Sequence, residues 1–289
     1  MTVAHLDCRR GVSLKEFASF KIGGKAKQFF VAHSVDDLGL IIKRIVPLYK
    51  YFYLLGGGSN LLITDKILSN PVLRLGEEFS YIRGLDENYL EIGAATPLSK
   101  IINYMVKNNL SCLENFVGIP ARLGGLVVMN ASSFGSQISQ SLDEVYFMDG
   151  EGNVKVFKRD TIDFGYRSSP LKEGIVLKAR LKVKRDDRIK ESLIFYLKKR
   201  LASQDFSFPS AGCVFKNVQS FSAASLIEKC GLKGLTVGGA SISKKHANFI
   251  INRCDAKAKD VVYIIEFIKD KVYNRLGILL EEEIVRWGI

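Results

Sequence analysis

Leu54-Leu55-Gly56-Gly57-Gly58-Ser59-Asn60-Leu61-Leu62 is the stretch on which the reading of this chain turns. A short apolar run, Tyr51 to Leu55, predicts a buried strand that ends directly in three glycines. Glycine has no Cβ, so backbone N–H groups in such a turn can approach phosphate oxygens closely. Ser59 and Asn60 add side-chain hydrogen bonds. The stretch is neither G-x-G-x-x-G nor a Walker loop, because no G-K-[ST] follows. On these residues alone a plain tight turn remains open.

A second glycine-rich stretch lies further on. It runs Glu114-Asn115-Phe116-Val117-Gly118-Ile119-Pro120-Ala121-Arg122-Leu123-Gly124-Gly125 and continues to Asn130-Ala131-Ser132-Ser133-Phe134-Gly135. A turn opens here into a helix start built from small residues, whose free N–H groups and dipole suit a pyrophosphate. A helix packed tightly through its glycines is the competing reading.

Outward from these loops the pattern is mixed. Strands are expected at Ala26–Ala32, Pro71–Leu75, Tyr89–Ile92, Ile175–Val183, Asn248–Ile251 and Glu282–Trp287. Helices are expected at Val35–Val46, Leu98–Lys107, Ile189–Leu201, Ala223–Cys230 and Asp260–Leu276, with Gly231 and Gly277 as stops. Val145–Met148 and Val154–Phe157 flank Asp149-Gly150-Glu151-Gly152-Asn153 as a hairpin. Ser207–Gly212 reads as a loop. Strands and helices without regular βαβ alternation make the class α+β. At 289 residues, and roughly 150 per domain, two or three units are expected.

Composition narrows the function. Five cysteines (Cys8, Cys112, Cys213, Cys230 and Cys254) are odd in number and widely spaced, with no C-x-x-C. That argues against a disulfide framework or a zinc site and fits a reducing cytoplasm. His5, His33 and His246 have no ligand spacing, so no metal is expected. The opening MTVAHLDCRRG has no apolar run behind a basic start, and about 18 apolar residues nowhere run without a charge. Neither a secretory signal nor membrane insertion is expected. The net charge of +12 admits nucleic acid, a membrane surface or a small anionic substrate. Ten basic residues lie between Lys178 and Arg200, but Asp186, Asp187 and Glu191 interrupt them, as on a solvated helix face. Without a zinc finger, an RNP-type motif or a basic arm, nucleic acid is the weaker reading.

Taken together, the two glycine-rich stretches resemble the UDP-N-acetylenolpyruvoylglucosamine reductases (MurB), which have a two-lobed FAD-binding fold of the vanillyl-alcohol oxidase type. The family's G-G-G-S-N-x-L, G-I-P-G-x-x-G-G and N-A-G-A-Y-G all have counterparts here. Ser19-Phe20-Lys21-Ile22-Gly23-Gly24-Lys25-Ala26 is similar to its opening motif, and the likeness runs from about residue 13 to residue 288. It implies an FAD-binding lobe at 1–76, a second at 77–185, and a C-terminal α+β substrate-binding domain at 186–279. The last strand, 280–289, is expected to return to the second lobe. The implied reaction is NADPH-dependent, FAD-mediated reduction of UDP-N-acetylglucosamine enolpyruvate to UDP-N-acetylmuramate, in peptidoglycan precursor synthesis. FAD is noncovalent and NADPH the reductant.

The resemblance also assigns residues. Gly56, Gly57, Gly58, Ser59, Asn60, Gly118, Ile119, Pro120, Gly124, Gly125, Asn130 and Ala131 fall on its cofactor motifs. Phe164-Gly165-Tyr166-Arg167-Ser168-Ser169 resembles the Y-R-x-S motif, with Arg167 at the catalytic arginine and Tyr166 at a substrate-site tyrosine. Gly212-Cys213-Val214-Phe215-Lys216-Asn217 resembles G-S-x-F-K-N, placing Cys213 where the family's proton-donating serine is common. Leu280-Glu281-Glu282-Glu283 resembles L-E-x-E, with Glu283 at the catalytic glutamate. Lys216, Asn217, Lys233 and Asn248 are candidates for diphosphate or sugar contacts, and His246 is either another or part of a surface turn. Arg167, Cys213 and Glu283 are expected to gather around one flavin edge. Read without the family, they are a surface arginine, a small core cysteine and one of three solvated acids. Ala121, Ser132, Ser133, Phe134 and Val218 depart from the family pattern, and a tighter flavin pocket is expected at Ala121. The length, with no evident insertion in the third unit, resembles the family's shorter form, which lacks a tyrosine-bearing lid loop. Other readings left open are a flavin oxidase of the same fold and a noncatalytic basic protein.

Overall fold

The computed structural model describes residues 6–218 and 221–289. His5 and the rest of residues 1–5 lie outside the described residues. Two compact units share the chain: residues 1–10, 28–57 and 70–199 form the first, and residues 11–27, 58–69 and 200–289 the second.

The first unit is built on two sheets. In one, Phe29–Ala32 pairs antiparallel with Asp7–Arg9 and parallel with Val72–Leu75, which pairs parallel with Tyr53–Leu54. The other is antiparallel throughout, in the order Val154–Lys158, Leu142–Met148, Ile175–Lys182, Tyr89–Gly93, Ile82–Gly84. One core joins them. Phe30 and Leu73 come from the first sheet, Ile92 and Ala179 from the second, and Leu98, Ile101 and Met105 from the helix Leu98–Lys107. Those helical positions are three, four and seven residues apart, the spacing of one buried face.

The expected helix Val35–Val46 is α-helical only over Val35–Leu40. It widens into a π turn at Ile41–Ile45 and tightens to 3-10 at Val46–Leu48. Pro47 explains the change. It has no N–H to return to the carbonyl four residues back, and its ring crowds that carbonyl, so the α ladder cannot run through.

The second unit carries an antiparallel sheet in the order Ser210–Cys213, Phe249–Asn252, Ala240–Ile242, Thr236–Val237. The helix Ala258–Leu276 packs in the same core through Val261, Ile264, Ile265, Ile268 and Val272, each at most 1% exposed. Full burial of such a side chain contributes roughly 1.5–3 kcal/mol.

Two expectations are corrected here. Ser210–Cys213 is a strand, not the end of a loop, because pairing with Phe249–Asn252 overrides its Ser-Ala-Gly composition. The last strand finds its sheet partner outside residues 77–185. Val285–Trp287 pairs parallel with Leu61–Ile63, inside the second unit. Residues 11–27 and 58–69 also belong to this unit, so its extent differs from the expected 186–279. Long-range strand pairing leaves no local sequence mark.

Candidate active site

The first glycine loop is fastened at two points. A Cβ on Gly57 would stand 3.0 Å from the Pro120 carbonyl oxygen and 3.2 Å from the Ala121 Cα, so the two glycine-rich stretches touch there. Gly58 has φ +65°, and a Cβ on it would lie 2.0 Å from the Phe17 carbonyl oxygen. Its own carbonyl accepts from the Ser19 N–H at 3.0 Å. Gly56 is open, with nothing within 4 Å of a Cβ position. The N–H groups of Gly56, Gly57, Gly58 and Ser59 donate to no other described residue. Such a run of unspent donors on a backbone without side chains is the chemistry of an anion cradle.

The second loop differs from expectation. Gly118, at φ +85°, turns the chain toward Ile119 and Pro120, and the helix that follows is only Leu123–Val128. Its first two N–H groups are not free. Leu123 donates to Thr96 at 3.0 Å and Gly124 to Ala94 at 2.9 Å. Burial of the helix start against residues 94–96 forces that pairing, since a buried unpaired N–H costs about 1–3 kcal/mol. A Cβ on Gly124 would stand 3.1 Å from the Ala94 Cβ, whereas Gly125 is open. The segment acts by close packing instead. Ala131 serves the same purpose, donating to Leu126 at 2.8 Å and accepting from Ile138 at 2.9 Å.

Asn130 links this loop to Arg167. It is fully buried at φ 40°, and its Nδ2 donates to Gln137 Oε1 at 3.0 Å and to the Gly165 carbonyl at 2.8 Å. Its Oδ1 is buried with no partner among the described residues. Gly165 and Ser168 close a tight turn by exchanging backbone hydrogen bonds at 3.0 and 3.4 Å, with Tyr166 and Arg167 at its tip. Arg167 has φ 55°, a left-handed conformation uncommon for arginine. Its guanidinium carbon is 5.9 Å from the centre of the Tyr166 ring, which is 47% exposed. Ser169 anchors the turn's exit by donating to the Val128 carbonyl at 2.7 Å.

In the second unit the chain brings Cys213 and Glu283 into neighbouring segments. Cys213 ends the strand Ser210–Cys213, half-buried, opposite Phe249. One residue on, the Val214 carbonyl accepts from the Glu283 N–H at 2.8 Å. The Glu283 carbonyl accepts from Asn60 Nδ2 at 2.9 Å, and the Asn60 carbonyl from the Val285 N–H at 2.9 Å. The last residue of the first glycine motif therefore holds the glutamate segment in place. The three adjacent acids separate by use. Glu281 pairs with Lys216, Glu282 pairs with Lys269 and Arg286, and Glu283 is held through its backbone.

The remaining candidates are already engaged. Lys233 pairs with Glu228 at 2.7 Å, and Asn217 Oδ1 accepts from the Ala223 N–H at 3.0 Å. Asn248 is 3% exposed, and both ends of its amide bond Phe215, accepting from its N–H at 2.9 Å and donating to its carbonyl at 2.8 Å. That makes Asn248 a bolt for the strand after Cys213, with one N–H of its amide committed to Phe215. His246 packs edge-on against Phe249 at 4.6 Å, and burial holds its pKa below the usual histidine value.

Sequence reading missed Arg200. It is 4% exposed at the end of the helix Ile189–Ser203, and its Nη1 donates to Gln204 Oε1 at 3.3 Å. Burial pushes its pKa down, and its electrostatic interaction with Cys213 acts in the opposite direction. A helix rich in basic residues hides one buried arginine among solvated ones, and periodicity does not mark which. Among the described residues no group of three or more His, Cys, Asp or Glu is placed to hold a metal. No helix among them is long and apolar enough to cross a membrane.

The chain is similar to known proteins over most of its length. The sequence profile of the C-terminal domain of UDP-N-acetylenolpyruvoylglucosamine reductase matches residues 204–287, and that of an FAD binding domain matches residues 26–158. The chain is 36% identical over 287 residues to a protein of that reductase name from Fervidobacterium nodosum, covering 95% of this chain and 90% of the relative. It is 36% identical over 287 residues to the Borreliella burgdorferi reductase, covering 96% and 93%. The crystal structure of the Thermus caldophilus reductase superposes with a TM-score of 0.83 at 33% identity, covering 98% of this chain and 99% of that one.

Proposed function

Because the chain belongs to the UDP-N-acetylenolpyruvoylglucosamine reductase family, we infer that it reduces UDP-N-acetylglucosamine enolpyruvate to UDP-N-acetylmuramate. The reaction is a step of peptidoglycan precursor synthesis, with FAD as cofactor and NADPH as reductant. The residues fit that cofactor. The unspent N–H groups of Gly56, Gly57, Gly58 and Ser59 would hold its pyrophosphate. The unpartnered Asn130 Oδ1 would accept from one of its hydroxyl or N–H groups. When bound, FAD supplies the hydride that no side chain here can provide.

The remaining chemistry belongs to side chains. Hydride arrival at the terminal carbon of the enolpyruvyl double bond drives an electron pair onto the adjoining carbon and its carboxylate. The Arg167 guanidinium can grip both carboxylate oxygens, which stabilises that charge. The Cys213 thiol gives its proton to the adjoining carbon, and the thiolate takes one back from solvent. An ordinary thiol, with pKa ~8.5, gives up a proton far more readily than an aliphatic alcohol, so cysteine can fill a serine's place. Glu283, when protonated, would donate a hydrogen bond to the enolate. Tyr166, Lys216, Asn217 and Lys233 are the proposed contacts to the nucleotide-sugar. Once a diphosphate enters, Lys216 and Lys233 would exchange Glu281 and Glu228 for it.

The observation that carries this reading is the hydrogen bond from the Glu283 N–H to Val214, next to Cys213. It puts an acid and a proton donor on adjoining segments. The test begins with the absorbance spectrum of freshly purified protein. A flavin band should bleach with NADPH and return on adding the enolpyruvyl substrate. In Cys213→Ala, bleaching should keep its rate while recovery slows by roughly 10²–10⁴-fold. A colourless protein would sink the flavin reading, and normal recovery in Cys213→Ala would remove the thiol from the mechanism.

A further inference from the structure

Glu283 lies in a stretch, residues 277–284, without helix or continuous strand. Backbone bonds tether it: the Lys216 N–H to Glu281 at 2.8 Å, the Glu283 N–H to Val214 at 2.8 Å, and Asn60 Nδ2 to Glu283 at 2.9 Å. A neighbouring side chain ties the same stretch to a different element.

Glu282 is that side chain. Its carboxylate accepts from Arg286 Nε at 2.7 Å and from Arg286 Nη2 at 2.7 Å, a two-toothed grip. The Lys269 ammonium closes on the same carboxylate. Arg286 Nη2 also reaches Glu266 at 2.5 Å, and Lys269 Nζ lies 3.4 Å from Glu266. Two acids and two bases form a closed, neutral ring between residues 282–286 and the helix Ala258–Leu276. Glu282 is 17% exposed and Arg286 23%, so solvent screens this ring less than an ordinary surface pair. Partly buried ion pairs add little net stability, because desolvation offsets attraction. Their geometry is nevertheless strict.

Glu282 bridges Phe215 antiparallel, so the chain there is extended. Along an extended chain successive side chains leave on opposite faces. Glu283 is the next residue, so holding Glu282 to the helix constrains the backbone from which the Glu283 side chain leaves.

We propose that Glu266, Lys269, Glu282 and Arg286 form a positioning latch for Glu283, touching no reactant but setting where its carboxyl stands. The proposal rests on the role given to Glu283 above, and the test separates the two. Stopped-flow absorbance would follow the holoenzyme through both half-reactions, flavin reduction by NADPH and reoxidation by the enolpyruvyl substrate. Arg286→Met should slow reoxidation by on the order of tenfold to a hundredfold, the range a small misplacement of a catalytic group costs. Reduction by NADPH should stay within about twofold, since that half-reaction does not call on Glu283. Glu282→Gln should act in the same direction, and Arg286→Lys, which keeps a cation at the site, should restore part of the rate. Reoxidation at the unaltered rate in Arg286→Met would overturn the latch. Equal slowing of both half-reactions, tracking a lowered unfolding midpoint, would overturn it too. Glu283→Gln, run alongside, keeps the premise separate. If it leaves reoxidation unchanged, the role of Glu283 falls; if it alone slows reoxidation, only the latch does.

Discussion

At Gly56–Ser59 four consecutive backbone N–H groups donate to no other described residue, whereas the helix start at Leu123 and Gly124 gives its N–H groups to Thr96 and Ala94. Both stretches are rich in glycine, yet the glycines serve different ends. In the first they keep donors bare and let the chain turn at φ +65° beside Phe17. In the second Gly124 lets a helix close onto Ala94, and the donors are consumed in doing so. A glycine motif therefore signals close approach, and what approaches is decided by the rest of the fold.

Substitutions along the two stretches can break this contrast. Gly58→Ala should have the largest effect, because its Cβ would overlap a backbone oxygen and its φ is disfavoured for alanine. We expect a loss of about 3 kcal/mol or more and a protein purified without flavin colour. An unfolding midpoint within about 2 °C of the parent would show that the clamp at Phe17 is not real. Asn130→Ala should follow, at about 1–3 kcal/mol, since it deletes two buried hydrogen bonds. It should also weaken flavin retention on dialysis; undiminished retention would take Asn130 Oδ1 out of the cofactor site.

Gly124→Ala sharpens the contrast. Its Cβ would press on Ala94 at 3.1 Å, so stability should fall by about 1 kcal/mol in a urea titration. Flavin content should hold, because the Leu123 and Gly124 N–H groups are already spent. Loss of flavin without loss of stability would put the cofactor at this helix after all. Gly125→Ala should do least. Nothing lies within 4 Å of its Cβ, and alanine favours a helix by up to about 1 kcal/mol over glycine. A midpoint that drops would mean the space there is not open.

Much of this was legible beforehand, and the misses have physical causes. Helical spacing marked Leu98–Lys107 and the final long helix, because a buried face repeats locally. Pro47 could have predicted the break after Val35–Leu40, since its missing N–H is a local fact. Ser210–Cys213 could not have been found that way. Its strand exists only because Phe249–Asn252 lies alongside. That Asn248 bonds both backbone groups of Phe215, and that Arg200 is buried rather than solvated, likewise depends on distant packing.

The order of residues, taken alone, determined the family, the α+β class and the kinds of chemical group available: a guanidinium, a thiol, a carboxyl and two glycine turns. These depend on residue type and short-range spacing, which a linear string carries in full. Only the tertiary structure decided that Val285–Trp287 lies beside Leu61–Ile63, that Asn60 holds the Glu283 carbonyl, and which backbone donors remain unspent. Whether a polar group is consumed depends on which distant segment packs against it, and no local spacing records that.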